Sequence, residues 1–294
     1  MRIKTAIITA LIFCISNLAS AQNLPKCNLY MFTITSKDAG YNIRYPKFLS
    51  VFNRDGYNNQ PSFLSDFTLY CTTNSSSNGS TEVVSLDLFE KKLTRITNTI
   101  ESEYSPTSAN KNFFSTVRVA EDGVTQNLVL YPKTMKGTPK KLFPELGNVG
   151  YHEWISDEEV ALFLVEESGE HILAIGNVFD NYVNKIISNI GRTLKYDGKD
   201  KIYFVHKSVD AWFVKALNPK TIKITTICKM MEDVEDFELM NDGTLIAGKG
   251  SELFYNSPRN RGQWMDLIDL TDYGISNISR IAVRKNKLVL VDNQ

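Results

Sequence analysis

With 294 residues, 43% of them hydrophobic, and 33 basic against 33 acidic side chains, the chain can bury a real core. The balanced charge and the lack of a long basic run exclude nucleic acid as an expected partner.

The chain opens with Arg2 and Lys4, an apolar run over residues 6–15, and the small-x-small triplet Ala19-Ser20-Ala21. This pattern predicts a secretory signal peptide over 1–21, cleaved after Ala21, with residues 22–294 forming one domain. The apolar run is too short for a stable membrane anchor, and no other segment approaches the roughly 18 apolar residues of a spanning helix. Cys14 does not read as a lipidation site, because Phe13 precedes it where a small residue is expected. The expected location is periplasmic or secreted.

Beyond the leader, residues 29–34 and 48–51 read as two strands without a partner of their own. A strand–turn–strand signature then recurs, with turn residues Asp66, Asn110, Asp157, Asp197, Asp242 and Asn286 about 40–50 residues apart. Such a period marks a β-propeller with four strands per blade. Inner strands precede the turns, as at 151–155, and continuous apolar second strands follow at 68–71, 113–119, 160–165, 202–205, 245–247 and 288–291. Third strands are expected at 82–88, 128–131, 171–175, 212–217 and 253–255, and outer strands at 93–96, 141–143, 185–187, 223–227 and 264–267. The sixth repeat ends after two strands. The expected fold is therefore all-β, a six-bladed propeller whose N-terminal strands complete the last blade and leave no open sheet edge.

The Ser/Asn/Gly-rich stretch 72–80 reads as a loop tip, with N-x-S sequons at Asn74 and Asn78. The cysteines that survive processing, Cys27, Cys71 and Cys228, permit at most one disulfide and read most simply as buried small hydrophobes. No C-x-x-C pair supports a metal or redox site. Asp66, Asp157, Asp197 and Asp242 recur once per blade and are expected to hold the backbone of tight turns.

Gln60-Pro61-Ser62-Phe63-Leu64-Ser65-Asp66 is similar to the Pro-x-Trp/Phe-Ser-x-Asp blade motif of TolB-like propellers. Tyr104-Ser105-Pro106-Thr107, Gly150-Tyr151-His152-Glu153-Trp154 and Phe204-Val205-His206-Lys207 resemble later blades of stand-alone exported members, which lack the α/β domain that TolB carries ahead of its propeller. The resemblance covers the mature chain and implies the fold more than the function.

Segments leading into inner strands and segments leaving second strands share one face of such a ring. The candidate ligand site on that channel face comprises Glu103, Tyr104, Arg118, Tyr151, His152, Arg192, His206, Asp236 and Arg280. Arg118, Arg192 and Arg280 suit a carboxylate or sugar acid, while Glu103, His152 and His206 are the acid–base candidates. The opposing expectation is that these charges pair with one another at a watery channel mouth, and that His152, two residues from Trp154, is structural. No G-x-S-x-G, H-E-x-x-H, P-loop or calcium-loop pattern is present. The leading expectation is an exported non-catalytic propeller that binds a protein, peptide or glycan, with other envelope proteins among its partners and no cofactor or metal. The alternative is a carbohydrate- or peptide-acting hydrolase or lyase at the channel mouth.

Overall fold

The computed structural model describes residues 24–37, 40–75, 79–260 and 262–294. The predicted signal peptide, Cys14 and the Asn78 sequon lie outside them. Strands β1 (Cys27–Lys37) and β2 (Gly40–Phe48) come first. Blade one is β3 (Asn58–Phe63), β4 (Thr68–Thr73), β5 (Glu82–Asp87) and β6 (Lys92–Arg95). Blade two is β7 (Ser102–Ser108), β8 (Phe113–Val119), β9 (Gln126–Pro132) and β10 (Lys140–Leu142). Blade three is β11 (Val149–Trp154), β12 (Glu159–Leu164), β13 (Ile172–Asn177) and β14 (Tyr182–Ile187). Blade four is β15 (Ile190–Tyr196), β16 (Ile202–Lys207), β17 (Trp212–Asn218) and β18 (Lys223–Lys229). Blade five is β19 (Phe237–Leu239), β20 (Leu245–Lys249), β21 (Glu252–Asn256) and β22 (Met265–Asp269).

Blade six joins the chain's two ends, in the order β2–β1–β24–β23, where β23 is Ile278–Arg284 and β24 is Lys287–Asn293. β1 runs antiparallel to β24 from Cys27 opposite Asn293 to Thr33 opposite Lys287. The expected six-bladed ring and its closure by the N-terminal segment are both present. One element differs. The outer strand of blade six is Gly40–Phe48, and the expected strand at 48–51 gives way to a 3-10 turn over Ser50–Asn53. Ser50 is buried there: its Oγ donates to Asn28 Oδ1 (2.7 Å) and accepts from Leu29 N–H (3.1 Å), which draws the chain out of the sheet. β2 carries Arg44 and Lys47 on an outer edge, where charge discourages pairing with another chain, so it lacks the apolar signature of a strand. His171, expected within a third strand, stands just ahead of β13, and its Nδ1 accepts from Glu166 N–H (3.2 Å).

Each of the six junctions between blades holds its own apolar cluster. Phe32, Ile246 and Ile278 lie between blades five and six, and Cys27, Leu29, Leu69 and Val291 between six and one. Tyr70 and Phe114, then Val117 and Leu162, then Phe163 and Phe204, then Val205 and Phe237 fill the rest of the ring. Burying each such side chain contributes about 1.5–3 kcal/mol. The three cysteines among the described residues are unpaired and buried, and burial pushes Cys27 and Cys228 up to about 11 and Cys71 up to about 12.

The turn acids behave unevenly. Asn110, Asp197 and Asp242 do accept backbone N–H groups of their own turns. In blades one and three the preceding serines do this instead, Ser65 for Phe67 and Thr68, Ser156 for Glu158 and Glu159. Asp66 is thereby free to bridge to blade six, where it pairs with Arg284 (2.9 Å) and Lys285.

Packing between blades leaves little room. A Cβ on Gly248 of β20 would stand 2.4 Å from Cγ2 and 2.7 Å from Cβ of Ile278 in the next blade. Gly248→Ala is expected to lower the unfolding free energy by about 1–3 kcal/mol. Gly147→Ala, whose Cβ meets only Thr125 Cγ2 at 3.4 Å, should stay within about 0.5 kcal/mol of the parent. Urea denaturation checks the pair, and equal effects would contradict this packing.

Candidate functional site

The inner strands of all six blades converge on one cavity of about 120 Å³. Its wall includes Gln60, Ser105, Tyr151, His152, Glu153, Arg192, Lys195, Asp236 and Arg280. An inner strand has a sheet neighbour on one side only, so its other edge presents unpaired N–H groups to the channel. Bulges interrupt β3 between Asn59 and Ser62 and β7 between Tyr104 and Thr107. At both places a non-glycine residue adopts left-handed backbone, Gln60 (φ 54°) and Ser105 (φ 51°), and a proline follows. Proline brings no N–H to be left unpaired, and the Gln60 side chain accepts the Ser105 N–H across the blade junction at 2.9 Å.

Two polar layers cross the cavity. In the first, Asp236 accepts from Arg280 Nη1 (3.2 Å), Thr193 Oγ1 (3.1 Å) and the backbone N–H of Ile281 (3.3 Å). Arg192 Nε stands 3.5 Å from the same carboxylate without hydrogen-bond geometry. Arg280 also donates to the Tyr151 hydroxyl (2.7 Å), with its guanidinium 4.8 Å from that ring's centre. In the second layer, Lys195 donates to Glu238 (2.9 Å), Glu238 accepts the Val283 N–H (3.3 Å), and Glu153 accepts the Tyr196 N–H (3.5 Å). Glu153 meets some water in the channel but is ringed by protein. That burial raises its carboxyl to about 7, against the pull of Lys195 and with the help of Glu238. Burial pulls the Lys195 ammonium down, but the carboxylates of Glu238 and Glu153 outweigh it and hold the group above its ordinary value.

His152 is buried, and burial pushes its imidazole down to about 3, so the ring is neutral. Its Nε2 lies 2.6 Å from Ser115 Oγ, which also accepts from Trp154 Nε1 (2.9 Å). The one hydroxyl hydrogen of Ser115 has two acceptors in reach, His152 Nε2 at 2.6 Å and the Thr107 carbonyl at 3.4 Å. Given to His152 Nε2, it leaves the ring hydrogen on Nδ1; given to Thr107, it lets Nε2–H donate to Ser115 and makes Nδ1 an acceptor. His152 Nδ1, Ser105 Oγ and Arg192 Nε are buried atoms without a hydrogen-bond partner, and all three residues line this cavity.

Five of the expected residues, Tyr151, His152, Arg192, Asp236 and Arg280, thus come together. The others stand elsewhere. Glu103 and Arg118 lie opposite one another on β7 and β8 and pair at 2.7 Å. Glu103 is fully buried and also accepts from Thr116 Oγ1 (2.5 Å) and the Tyr131 hydroxyl (2.6 Å). Tyr104 packs among core residues with its ring centre 6.4 Å from that of Tyr57. His206 lies one strand back from the channel, beside Ser208 Oγ (2.9 Å) and Lys215 Nζ (3.2 Å); burial and then the lysine charge lower its pKa. The acid–base candidates Glu103, His152 and His206 do not share a site. Sequence reasoning missed Ser105, Glu153 and Lys195. The signal was present in Glu153, Lys195 and Glu238, which follow one another at the blade period with alternating charge. Among the described residues no group of three or more His, Cys, Asp or Glu side chains is placed to hold a metal ion.

No family model and no curated protein sequence matches the chain. Similar folds are found among solved structures. A TolB-type protein of Agrobacterium tumefaciens superposes with a TM-score of 0.67 at 10% identity, over 92% of this chain and 99% of that one. A chain of the nidogen/laminin complex gives 0.64 at 9% identity, over 90% and 98%. A gluconolactonase of Xanthomonas campestris gives 0.58 at 9% identity, over 81% and 86%. The chain is a six-bladed propeller of TolB-like fold, and at these identities the likeness concerns the fold.

The depressed His152 pKa has a measurable consequence. The unfolded ring takes up a proton below about 6.5 while the folded ring stays neutral down to about 3, so folding loses stability as pH falls through that window. His152→Gln is expected to flatten the stability–pH curve there by up to one proton's worth, about 1.4 kcal/mol per pH unit. Parallel curves for parent and variant, measured by urea denaturation at stepped pH, would contradict a neutral buried ring.

Proposed function

We propose that this chain is an exported, non-catalytic propeller that captures a polar group of a protein, peptide or glycan ligand in its channel, with residues 1–21 as the cleaved leader and the periplasm or exterior as its location. The observation that carries this reading is the convergence of three buried, unpartnered polar atoms, Ser105 Oγ, His152 Nδ1 and Arg192 Nε, on one cavity. Native proteins leave few such atoms unsatisfied, and their gathering in a concave site supports a partner from outside the chain. Similar folds serve in a TolB-type protein and in the nidogen/laminin complex, which fits a binding role by analogy alone.

The alternative is a hydrolase or lyase, favoured by the Glu153 carboxyl held near 7 in the cavity beside Lys195. The gluconolactonase fold likeness is consistent with it. Against it, the His152 Nε2 is committed to Ser115, and the Asp236 carboxylate beside the Thr193 hydroxyl is already taken up by Arg280.

A pull-down from envelope extract, paired with a glycan array, tests the binding reading. Arg192→Ala is expected to weaken capture roughly tenfold or more, and Lys220→Ala, exposed in the turn between the third and outer strands of blade four on the opposite face, should leave it unchanged. Capture that survives Arg192→Ala at full strength in a folded variant would contradict the channel as the site. Turnover of a captured glycan or peptide that is lost in Glu153→Gln would favour the enzyme instead.

A further inference from the structure

We infer that the group taken into the channel is a carboxylate. This rests on the channel as the binding site and names the chemistry of what enters it. The unspent atoms can all donate. Arg192 Nε can do nothing else, the Ser105 hydroxyl has no partner to prevent it, and His152 Nδ1 donates when Nε2 accepts from Ser115. His152 and Ser105 are 6% and 8% exposed, so their unpaired atoms stand in a largely desolvated wall, where a missing partner is costly. A ligand that satisfies them presents acceptor oxygens.

Charge narrows the class. Two guanidinium groups, Arg192 and Arg280, share the single carboxylate of Asp236, at 3.5 and 3.2 Å. In the other layer Lys195 faces Glu238 and Glu153, and Lys207 is held by Glu235, whose second oxygen accepts the Arg192 N–H at 3.2 Å. The excess positive charge is thus on the Arg192–Arg280 side, where the unspent Nε–H also lies. A neutral hydroxyl or amide would meet the donors and leave that charge unbalanced. A phosphate or sulfate would bring a second charge against Asp236 and Glu153. A carboxylate matches both the donors and the single excess charge. The cavity volume, about 120 Å³, falls below the roughly 300–1,000 Å³ of sites that enclose a whole small ligand. A carboxylate headgroup enters, and the body of the ligand stays at the mouth.

The carboxylate of a peptide C-terminus and that of a sugar acid share this chemistry. The mature protein, labelled with nitrogen-15 at histidine, is titrated with N-acetylglycine and with glucuronate, each beside its neutral counterpart, N-acetylglycinamide and glucose, and with inorganic phosphate. The His152 resonances are assigned with His152→Gln. The expected result is a saturable shift of the His152 Nδ1 signal with one or both carboxylates, little shift with the neutral molecules, and binding weakened roughly tenfold or more in Arg192→Gln. Ser105→Ala, outside the ion-pair network, should weaken it as well and serves if Arg192→Gln does not fold. Whichever carboxylate binds more tightly identifies the source. A neutral counterpart or phosphate that binds as well as the carboxylates, or no response to either carboxylate, overturns the inference. Channel capture is judged separately by the pull-down and array, so it can stand while the carboxylate assignment falls.

Discussion

Ring closure is the constraint on which everything else depends. Six small sheets can direct their inner strands at a common axis only if the last sheet meets the first. Here the meeting is made by β1 lying on β24 and packing Cys27 and Leu29 against Leu69 and Cys71 of blade one. Without that strand, β24 would offer a bare edge, and the apolar face of blade one would meet water. The cavity depends on the same closure, because Arg280 of blade six reaches Tyr151 of blade three and Asp236 beside blade five across the axis.

Inside the ring, adjacent inner strands do not pair through their backbones. Side chains carry the connection instead. Gln60 accepts the Ser105 N–H, Glu153 the Tyr196 N–H, Asp236 the Ile281 N–H and Glu238 the Val283 N–H, each reaching into the following blade. These bonds explain why so many carboxyls stand in a narrow channel: they satisfy edge donors that water or a neighbouring strand would otherwise have to meet. They also explain why the channel can be both structural and receptive. Most charges are spent on holding blades together, and what remains unspent are single polar atoms of Ser105, His152 and Arg192, three residues of the same cavity wall.

The fold was legible because propeller blades repeat. Turn residues at Asp66, Asn110, Asp157, Asp197, Asp242 and Asn286 all fall between a first and a second strand, and the apolar second strands are the most deeply buried. The outer strand of blade six was misplaced because an edge strand such as Gly40–Phe48 has no apolar alternation to betray it, while the apolar residues at 48–51 belong partly to a turn pinned by Ser50. The site was half legible. Proximity to the channel could be inferred from blade topology, which gave Tyr151, His152, Arg192, Asp236 and Arg280. Side-chain direction could not, because bulges in β3, β7, β11, β15 and β23 shift the alternation by amounts that no sequence period states. Glu103 consequently turned toward Arg118 and Tyr131, and Ser105, Glu153 and Lys195 turned inward unannounced.

Native-state hydrogen exchange tests the closure most directly. If β1 latches the ring, its amides paired with β24 exchange only on global unfolding, with the same free energy as the buried amides of β12 in blade three. Exchange from β1 at a clearly lower free energy, while β12 stays protected, would show that the ring holds without its leading strand and would contradict this account.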